Sequence, residues 1–477
     1  MRLRNIFLIG YLLVLFLILW SCVDVYNPAL NCCCLLVDFA IILSFFRKSY
    51  SGLWYSPSNL LLFFLIIVNF QFYIDLLLNN VTIYADCFYD YNTINHGIIV
   101  SSISLVAYLL GILKKNEAKM QQSDNVIRIS PQLYKSVIVI NFFAFLWWLS
   151  SLTISDLTGA SYIGSGDYSN QTAIYQELLF KVSQYLVFFV IICREQRTNT
   201  FLQLIKKIPK IPLILTVIYI MVKLFSGDRG GAIWSLCMLF YVYVWLVRPK
   251  IKFVYVLPFL LFFAVLMSAI SVGRGYGDQL SFSEKVSMGI REKGVFADQY
   301  DSFFIPTQEL AHSIQCNHIA YHQILVKKES FFYGQFQGIY LCQMIPILGS
   351  KIVESFHIPR KEQSSSAYVT ISALGEYPAY GLGTTILADF YLEFGVLGVL
   401  LGFYVIGLLF RRIDSIVGND VKRSTIFLSL CAFVLSSSLV SIPRGYFLFY
   451  VRLCMYTYLM FIILNKIFSR YNSNIKK

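Results

Sequence analysis

Three arginines in this chain stand where an anion could be held. Arg229 sits in S-G-D-R-G-G (226–231), at the turn between two apolar runs and at the start of the second. Arg444, in S-I-P-R-G-Y (441–446), opens the last apolar run in the same way. The first N–H groups of a helix are unsatisfied and its dipole is positive there. An arginine with permissive glycines at such a point therefore suits a phosphate or pyrophosphate. Asp228 is placed to orient Arg229. Arg274, in S-V-G-R-G-Y-G-D (271–278), lies among alternating glycines whose backbone can form an anion-binding nest, and Asp278 closes the stretch. The plainer reading is that these arginines snorkel to lipid headgroups or mark a flexible exit from a helix.

Proton-transfer candidates lie nearby in sequence. The stretch P-T-Q-E-L-A-H-S-I-Q-C-N-H-I-A-Y-H-Q (306–323) reads as one helix carrying Glu309, His312, His318 and His322, three of the chain's five histidines. His318 and His322 are four apart and share a face. No third ligand follows at a fixed spacing, so the pattern points to a solvated face or to one histidine acting as a base rather than to a metal. Asp389 and Glu393, also four apart, lie inside an apolar run. Ionisable groups there are costly and face a cavity or a partner. Arg452, two turns into the last run, is a candidate partner.

The elements that must position these residues are membrane helices. Of the 477 residues 57% are hydrophobic and 14% charged, too little polar surface for a soluble core of that size. Runs long enough to cross a bilayer fall near 5–21, 29–45, 58–78, 97–113, 134–152, 174–193, 211–226, 231–247, 253–271, 384–410, 424–440 and 446–465. The first is too long for a signal-peptide core and lacks a cleavage site, so it is read as a retained span. With the N-terminus inside, most of the 39 lysines and arginines fall in inner segments, and the short outer loops hold only Arg229 and Arg444. That asymmetry is the positive-inside pattern.

The expectation is an all-α polytopic membrane protein with about 12 transmembrane helices, both termini cytoplasmic, and one large outer loop between helices 9 and 10. The organisation is spans one to nine over 1–271, the loop with amphipathic helices over 272–383, and the last three spans with a cytoplasmic tail over 384–477. The run F-F-Y-G-Q-F-Q-G-I-Y-L-C-Q-M-I-P-I-L (331–348) is read as an amphipathic piece capping a cavity, since a span there would invert the charge pattern downstream. The net charge of +13 is a topology signal, scattered between apolar runs, and argues against nucleic acid as a partner. The 11 cysteines form no CxxC pair, although an oxidising compartment would allow Cys316 and Cys342 to join.

S-G-D-R-G-G on an outer hairpin, the proline-containing I-P-I-L-G-S-K … H-I-P-R-K, and G-L-G-T-T-I-L-A-D-F-Y-L-E-F-G-V-L-G-V-L-L-G (381–402) together resemble the O-antigen polymerases (Wzy), which join oligosaccharide repeat units of bacterial surface polysaccharide. The resemblance implies a glycosyltransferase-C-like membrane enzyme of the bacterial inner membrane with a large periplasmic loop. Its substrate would be an undecaprenyl-pyrophosphate-linked oligosaccharide, with membrane lipid around it and a chain-length regulator protein as a further partner. No cofactor or metal is implied. Arg229, Arg274, Arg444 and Arg360 would contact the pyrophosphate. His312, Glu376 or Asp278 would act as base, and Asp228, Asp389, Glu393 and Arg452 would line the cavity. Two relatives in chemistry compete: an O-antigen ligase, which shares the substrate and the outer loop, and a lipid-linked oligosaccharide flippase, which would not need so long a loop. A scaffold without catalysis would tolerate alanine at the outer helix ends.

Overall fold

The computed structural model describes residues 2–21, 26–49, 54–81, 90–113, 129–152, 171–195, 198–226, 228–249, 284, 302–304, 307–345, 348–378, 381–418 and 425–475. Its long helices are α1 (Arg2–Trp20), α2 (Pro28–Ser49), α3 (Pro57–Leu77), α4 (Tyr91–Leu113), α5 (Pro131–Leu149) and α6 (Gln171–Arg194). A short α7 (Phe201–Lys207) meets α8 (Lys210–Phe225) at a bend of 107°, and α9 (Arg229–Val247) follows. Short helices α10 (Gln308–His312), α11 (Gln315–Tyr321), α12 (Gln335–Cys342), α13 (Leu348–Ser355) and α14 (Ser365–Leu374) lead to α15 (Ile386–Gly418), α16 (Ile426–Ser437) and α17 (Phe447–Ile475).

Among the described residues, eight helices are long and apolar enough to cross a membrane, or nine if the bent pair α7–α8 is one span; Arg4–Trp20 and Ile426–Ser437 are apolar but shorter. Each expected span coincides with a described helix except the ninth, 253–271, which lies outside the described residues. The count of twelve is thus the sequence's reading; the described residues supply eight or nine. At 331–348 the chain forms α12, eight residues and about 12 Å long, too short to cross a bilayer of about 30 Å.

Local sequence starts these helices. Pro57 and Pro131 stand in first turns, where a missing N–H costs nothing. Ser130, Thr200, Asp228 and Ser364 each accept a hydrogen bond from the N–H three residues on, which replaces the water that a helix end near lipid lacks.

The centre of the bundle is the crossing of α4 and α15. A Cβ on Gly111 would lie 2.4 Å from the Tyr404 carbonyl oxygen, and one on Gly407 2.3 Å from that of Tyr108. Only glycine permits this backbone contact, which takes the place of the hydrophobic drive that lipid does not provide. Below the crossing, Asp414 of α15 accepts from the Ser58 N–H at 3.0 Å and from the Ser58 hydroxyl, satisfying the start of α3.

Over its 33 residues α15 would be about 50 Å long if straight, and it is not straight. Phe394 and Gly395 (φ 62°) leave the helical region. Residues eight apart in an unbroken helix are separated by about 12 Å along the axis. Here the Phe390 carbonyl oxygen lies 2.3 Å from where a Cβ on Gly398 would be, and its ring 2.4 Å from one on Gly402. The segment 386–393 therefore folds back on the long arm of α15. The motif F-G-V-L-G-V-L-L-G reads physically as one glycine that turns the chain and two that admit Phe390.

Candidate functional site

The folded-back segment presents Asp389 and Glu393 on one face, as their spacing implies. Both are buried. Glu393 accepts from the N–H of Gln337 (2.9 Å) and from that of Gly334. It caps α12, whose start Gly334 turns in a left-handed conformation (φ 93°). A carboxylate at that end also faces the positive pole of the helix. Asp389 accepts from the Gln337 side-chain amide at 2.8 Å and the Tyr340 hydroxyl at 3.4 Å. The carbonyls released by the break at Phe394 are used as well: Phe332 N–H bonds Leu392 O and Tyr333 N–H bonds Glu393 O, both at 3.0 Å. In this clasp the candidate partner Arg452 is not the one the carboxylates use. Their partners are loop N–H, amide and hydroxyl groups, and the Arg452 guanidinium lies over the Phe449 ring, 5.2 Å from its centroid.

A second loop anchor is the end of α3. Asp75 accepts from the Ser302 hydroxyl (2.8 Å) and Phe303 N–H (2.7 Å), and Gln71 accepts from Thr307 (2.6 Å) and donates to Ser302 (2.7 Å). The anchored chain continues into the histidine stretch, which is not the single helix expected. Tight bonds from Ser313 N–H to Leu310 O and from Ile314 N–H to Ala311 O break it into α10 and α11, with a π-turn at His322–Val326. His318 and His322 do point the same way, into the bundle. His318 bonds Tyr73 (3.3 Å) and Thr93 (3.4 Å), and His322 pairs with Asp90 at 2.9 Å. Burial pushes the His318 imidazole down to about 3, with His96 adding to it. Among the described residues, no group of three His, Cys, Asp or Glu is placed to hold a metal ion. Cys316 and Cys342 are free thiols, which corrects the pairing considered from sequence.

His312 is different. Burial pushes its imidazole down to about 4, and the positive charge of Arg444 pushes in the same direction. Arg444, on the 3₁₀ turn Ile442–Arg444 just before α17, is exposed. The fold thus brings together a base candidate from the large loop and an arginine from the last turn, 132 residues apart in sequence. The result is an exposed cation beside an imidazole that is neutral at neutral pH, an arrangement able to hold an anion and take up a proton.

Just past the S-G-D-R-G-G hairpin, α9 packs against the helices on either side of that turn. Trp234, in the first turns of α9, donates to the Ser438 hydroxyl at 2.8 Å and packs against Phe449 of α17 (6.3 Å). Asp228 caps α9 by accepting from Gly231 N–H (3.3 Å) and pairs with Lys223 (2.8 Å). Burial raises the Asp228 carboxyl, but Lys223 more than offsets this and holds it below its ordinary value. Lys223 also bonds Glu177 (2.9 Å), which pairs with Lys181 (2.7 Å) and accepts from Tyr219 (2.8 Å). Glu177, Lys181 and Lys223 were missed from sequence, although Glu177 and Lys181 at i, i+4 in an apolar run were the available signal. The cluster balances two acids with two bases. The Arg229 side chain, Arg274 and Asp278 lie outside the described residues. Arg360 is exposed at the start of a 3₁₀ turn, and Glu376 is exposed in the bend after α14.

A family model described as O-antigen polysaccharide polymerase Wzy matches residues 5–474, nearly the whole chain. No curated protein and no solved structure matches it.

Proposed function

The chain belongs to the O-antigen polysaccharide polymerase Wzy family, and from that premise we propose that it joins repeat units carried on undecaprenyl pyrophosphate at the periplasmic face of the inner membrane. The growing glycan is the donor and a hydroxyl at the non-reducing end of a new lipid-linked repeat unit is the acceptor. A bond forms between the donor's anomeric carbon and the acceptor oxygen. The bond from that carbon to the pyrophosphate oxygen breaks, and undecaprenyl pyrophosphate leaves with the bonding pair.

The observation that carries this reading is the exposed Arg444 at the start of the last helix, whose charge is felt at the His312 imidazole. Charge develops on the departing pyrophosphate, and a fixed guanidinium near it lowers the barrier because it is oriented before the reaction begins. Arg229, Arg274 and Arg360 are further contacts for the same group. The acceptor proton goes to His312. Burial and Arg444 hold that imidazole down. An arriving pyrophosphate neutralises Arg444 and raises the histidine's basicity at the moment a base is needed. The donor's prenyl chain lies along the apolar bundle.

The test is a gel of surface polysaccharide from a strain lacking the chain, complemented with wild type or Arg444→Ala. Polymerisation through Arg444 requires a full ladder with wild type and core plus a single repeat with the variant. Loss of the single-repeat band in the uncomplemented strain would point to a ligase or flippase, and a full ladder with Arg444→Ala would remove the assigned site.

A further inference from the structure

Between the clasp helix α12 and the 3₁₀ turn Arg360–Glu362 lies a cleft of about 510 Å³ lined by Glu329, aromatic rings at 331–333, Gln335, Lys361, Glu362 and Tyr368. Neither the pyrophosphate site nor the base absorbs it. Its volume is in the range of small-ligand sites, about 300–1,000 Å³.

Its charges argue against phosphate. Lys361 is engaged by Glu329 at 3.2 Å and lies 4.7 Å from the centroid of the Tyr368 ring. Glu329 also accepts from the Tyr368 hydroxyl at 2.5 Å. With Glu362 on the rim the lining has two acids to one base, so an anion entering it meets repulsion. What remains is a set of hydrogen-bonding groups beside flat apolar faces. Phe332 stacks on Phe336 at 4.2 Å and meets Tyr368 edge-on at 4.9 Å, forming a rigid aromatic floor. Tyr333 is the wall. It is 70% exposed, and its backbone is left-handed (φ 48°), followed directly by Gly334 at φ 93°. A bulky residue in that conformation is strained, and the strain is held by the Tyr333 N–H bond to Glu393 O and by the Glu393 cap on Gly334. The clasp therefore fixes an aromatic ring in the open.

We propose that this cleft is a saccharide subsite, in which a neutral or amino sugar of the glycan lies against the Tyr333 ring with its hydroxyls or ammonium bonded to Glu329, Glu362 and Gln335. A pyranose has one face of C–H groups and a rim of hydroxyls, the chemistry that an aromatic wall with carboxylate and amide acceptors matches. The cleft is tied through Glu393 to the fold-back of α15, so a sugar held there is held at a fixed place relative to the bundle. This inference rests on the polymerase reading for the identity of the glycan.

The experiment uses the full chain in lipid nanodiscs and delipidated fragments of the source strain's own surface polysaccharide as probe. Saturation-transfer NMR reports fragment binding. Tyr333→Ala should weaken it about tenfold, a difference of about 1.4 kcal/mol, while Tyr333→Phe, which keeps the ring, should restore it. Inorganic pyrophosphate should not compete. In cells Tyr333→Ala should shorten the polymer without the collapse to a single repeat expected for Arg444→Ala. Unchanged fragment binding in Tyr333→Ala, or displacement of the fragment by pyrophosphate, overturns the subsite. If Arg444→Ala polymerises normally while Tyr333→Ala still loses the fragment, the transfer site is wrong and the saccharide cleft stands.

Discussion

Two regions at the same end of the bundle carry ionisable residues and use them in opposite ways. In the clasp, Asp389 and Glu393 are buried and spend their acceptor sites on groups of the loop: backbone N–H at Gly334 and Gln337, the Gln337 amide and the Tyr340 hydroxyl. At the arginine turn, Arg444 is exposed and lies close enough to His312 for its charge to depress the imidazole. The Lys223 cluster sides with the clasp, since its two acids and two bases neutralise one another. The difference teaches that a charge inside an apolar run is not by itself a mark of chemistry. What separates the two regions is exposure: the clasp's carboxylates are buried among their donors, whereas Arg444 is open to an incoming group.

Breaking the reactive side should have the largest effect. Arg444→Ala should lower glycosyl transfer by about 100-fold or more, the weight of one preorganised donor to developing charge. Because the side chain is exposed, its thermal midpoint in nanodiscs should stay near wild type, and a large fall there would move Arg444 to the structural side. Breaking the holding side should do the reverse. Glu393→Ala leaves the N–H groups that start α12 without their acceptor and should cost about 3 kcal/mol of stability, read by thermal unfolding, with activity lost in step. Glu393→Gln, which keeps an acceptor oxygen, should lose less.

Two glycines sharpen the clasp further. Gly398→Ala places a Cβ 2.3 Å from the Phe390 carbonyl and should destabilise by about 1–3 kcal/mol. Gly338→Ala, in α12 with nothing within 4 Å of the added carbon, should stabilise by about 0.8 kcal/mol through helix propensity alone. Equal effects at the two positions would remove the fold-back from the account.

A pH dependence tests the burial of the loop's histidines. In the unfolded chain His312 and His318 bind a proton near pH 6.5, whereas in the folded chain they do so only near about 4 and about 3. The unfolded state thus holds more protons in between. The contribution of these two residues is complete above pH 6.5 and is lost as the pH falls toward 4 and 3. Midpoints measured between pH 7.5 and 5 should fall, and His318→Gln should flatten the slope.

Much of the scaffold was legible because apolar length is a local property. The runs at 58–78, 97–113 and 174–193 became α3, α4 and α6 with little change. The shared face of Asp389 and Glu393 was legible for the same reason, since spacing fixes it. Their partners were not, because Gly334 and Gln337 belong to a loop more than fifty residues earlier and no periodicity links them. The F-G of α15 lies in sequence inside one continuous apolar run, 384–410. It is a helix break, visible only once Phe390 is seen against Gly398 and Gly402. The 306–323 stretch kept a helical pattern through Ser313, and tight i→i+3 bonds still divide it. Arg444 was singled out by its place before an apolar run, but its meeting with His312 required the loop to be folded down by Asp75 and Gln71.

The central claim is that the arginine turn, and not the clasp, performs the transfer. It is tested most directly by giving purified chain in nanodiscs an undecaprenyl-pyrophosphate-linked repeat unit and following release of undecaprenyl pyrophosphate together with product length. The account predicts multimers from wild type and almost none from Arg444→Ala at an unchanged thermal midpoint. Multimers formed at the wild-type rate by that variant would contradict it.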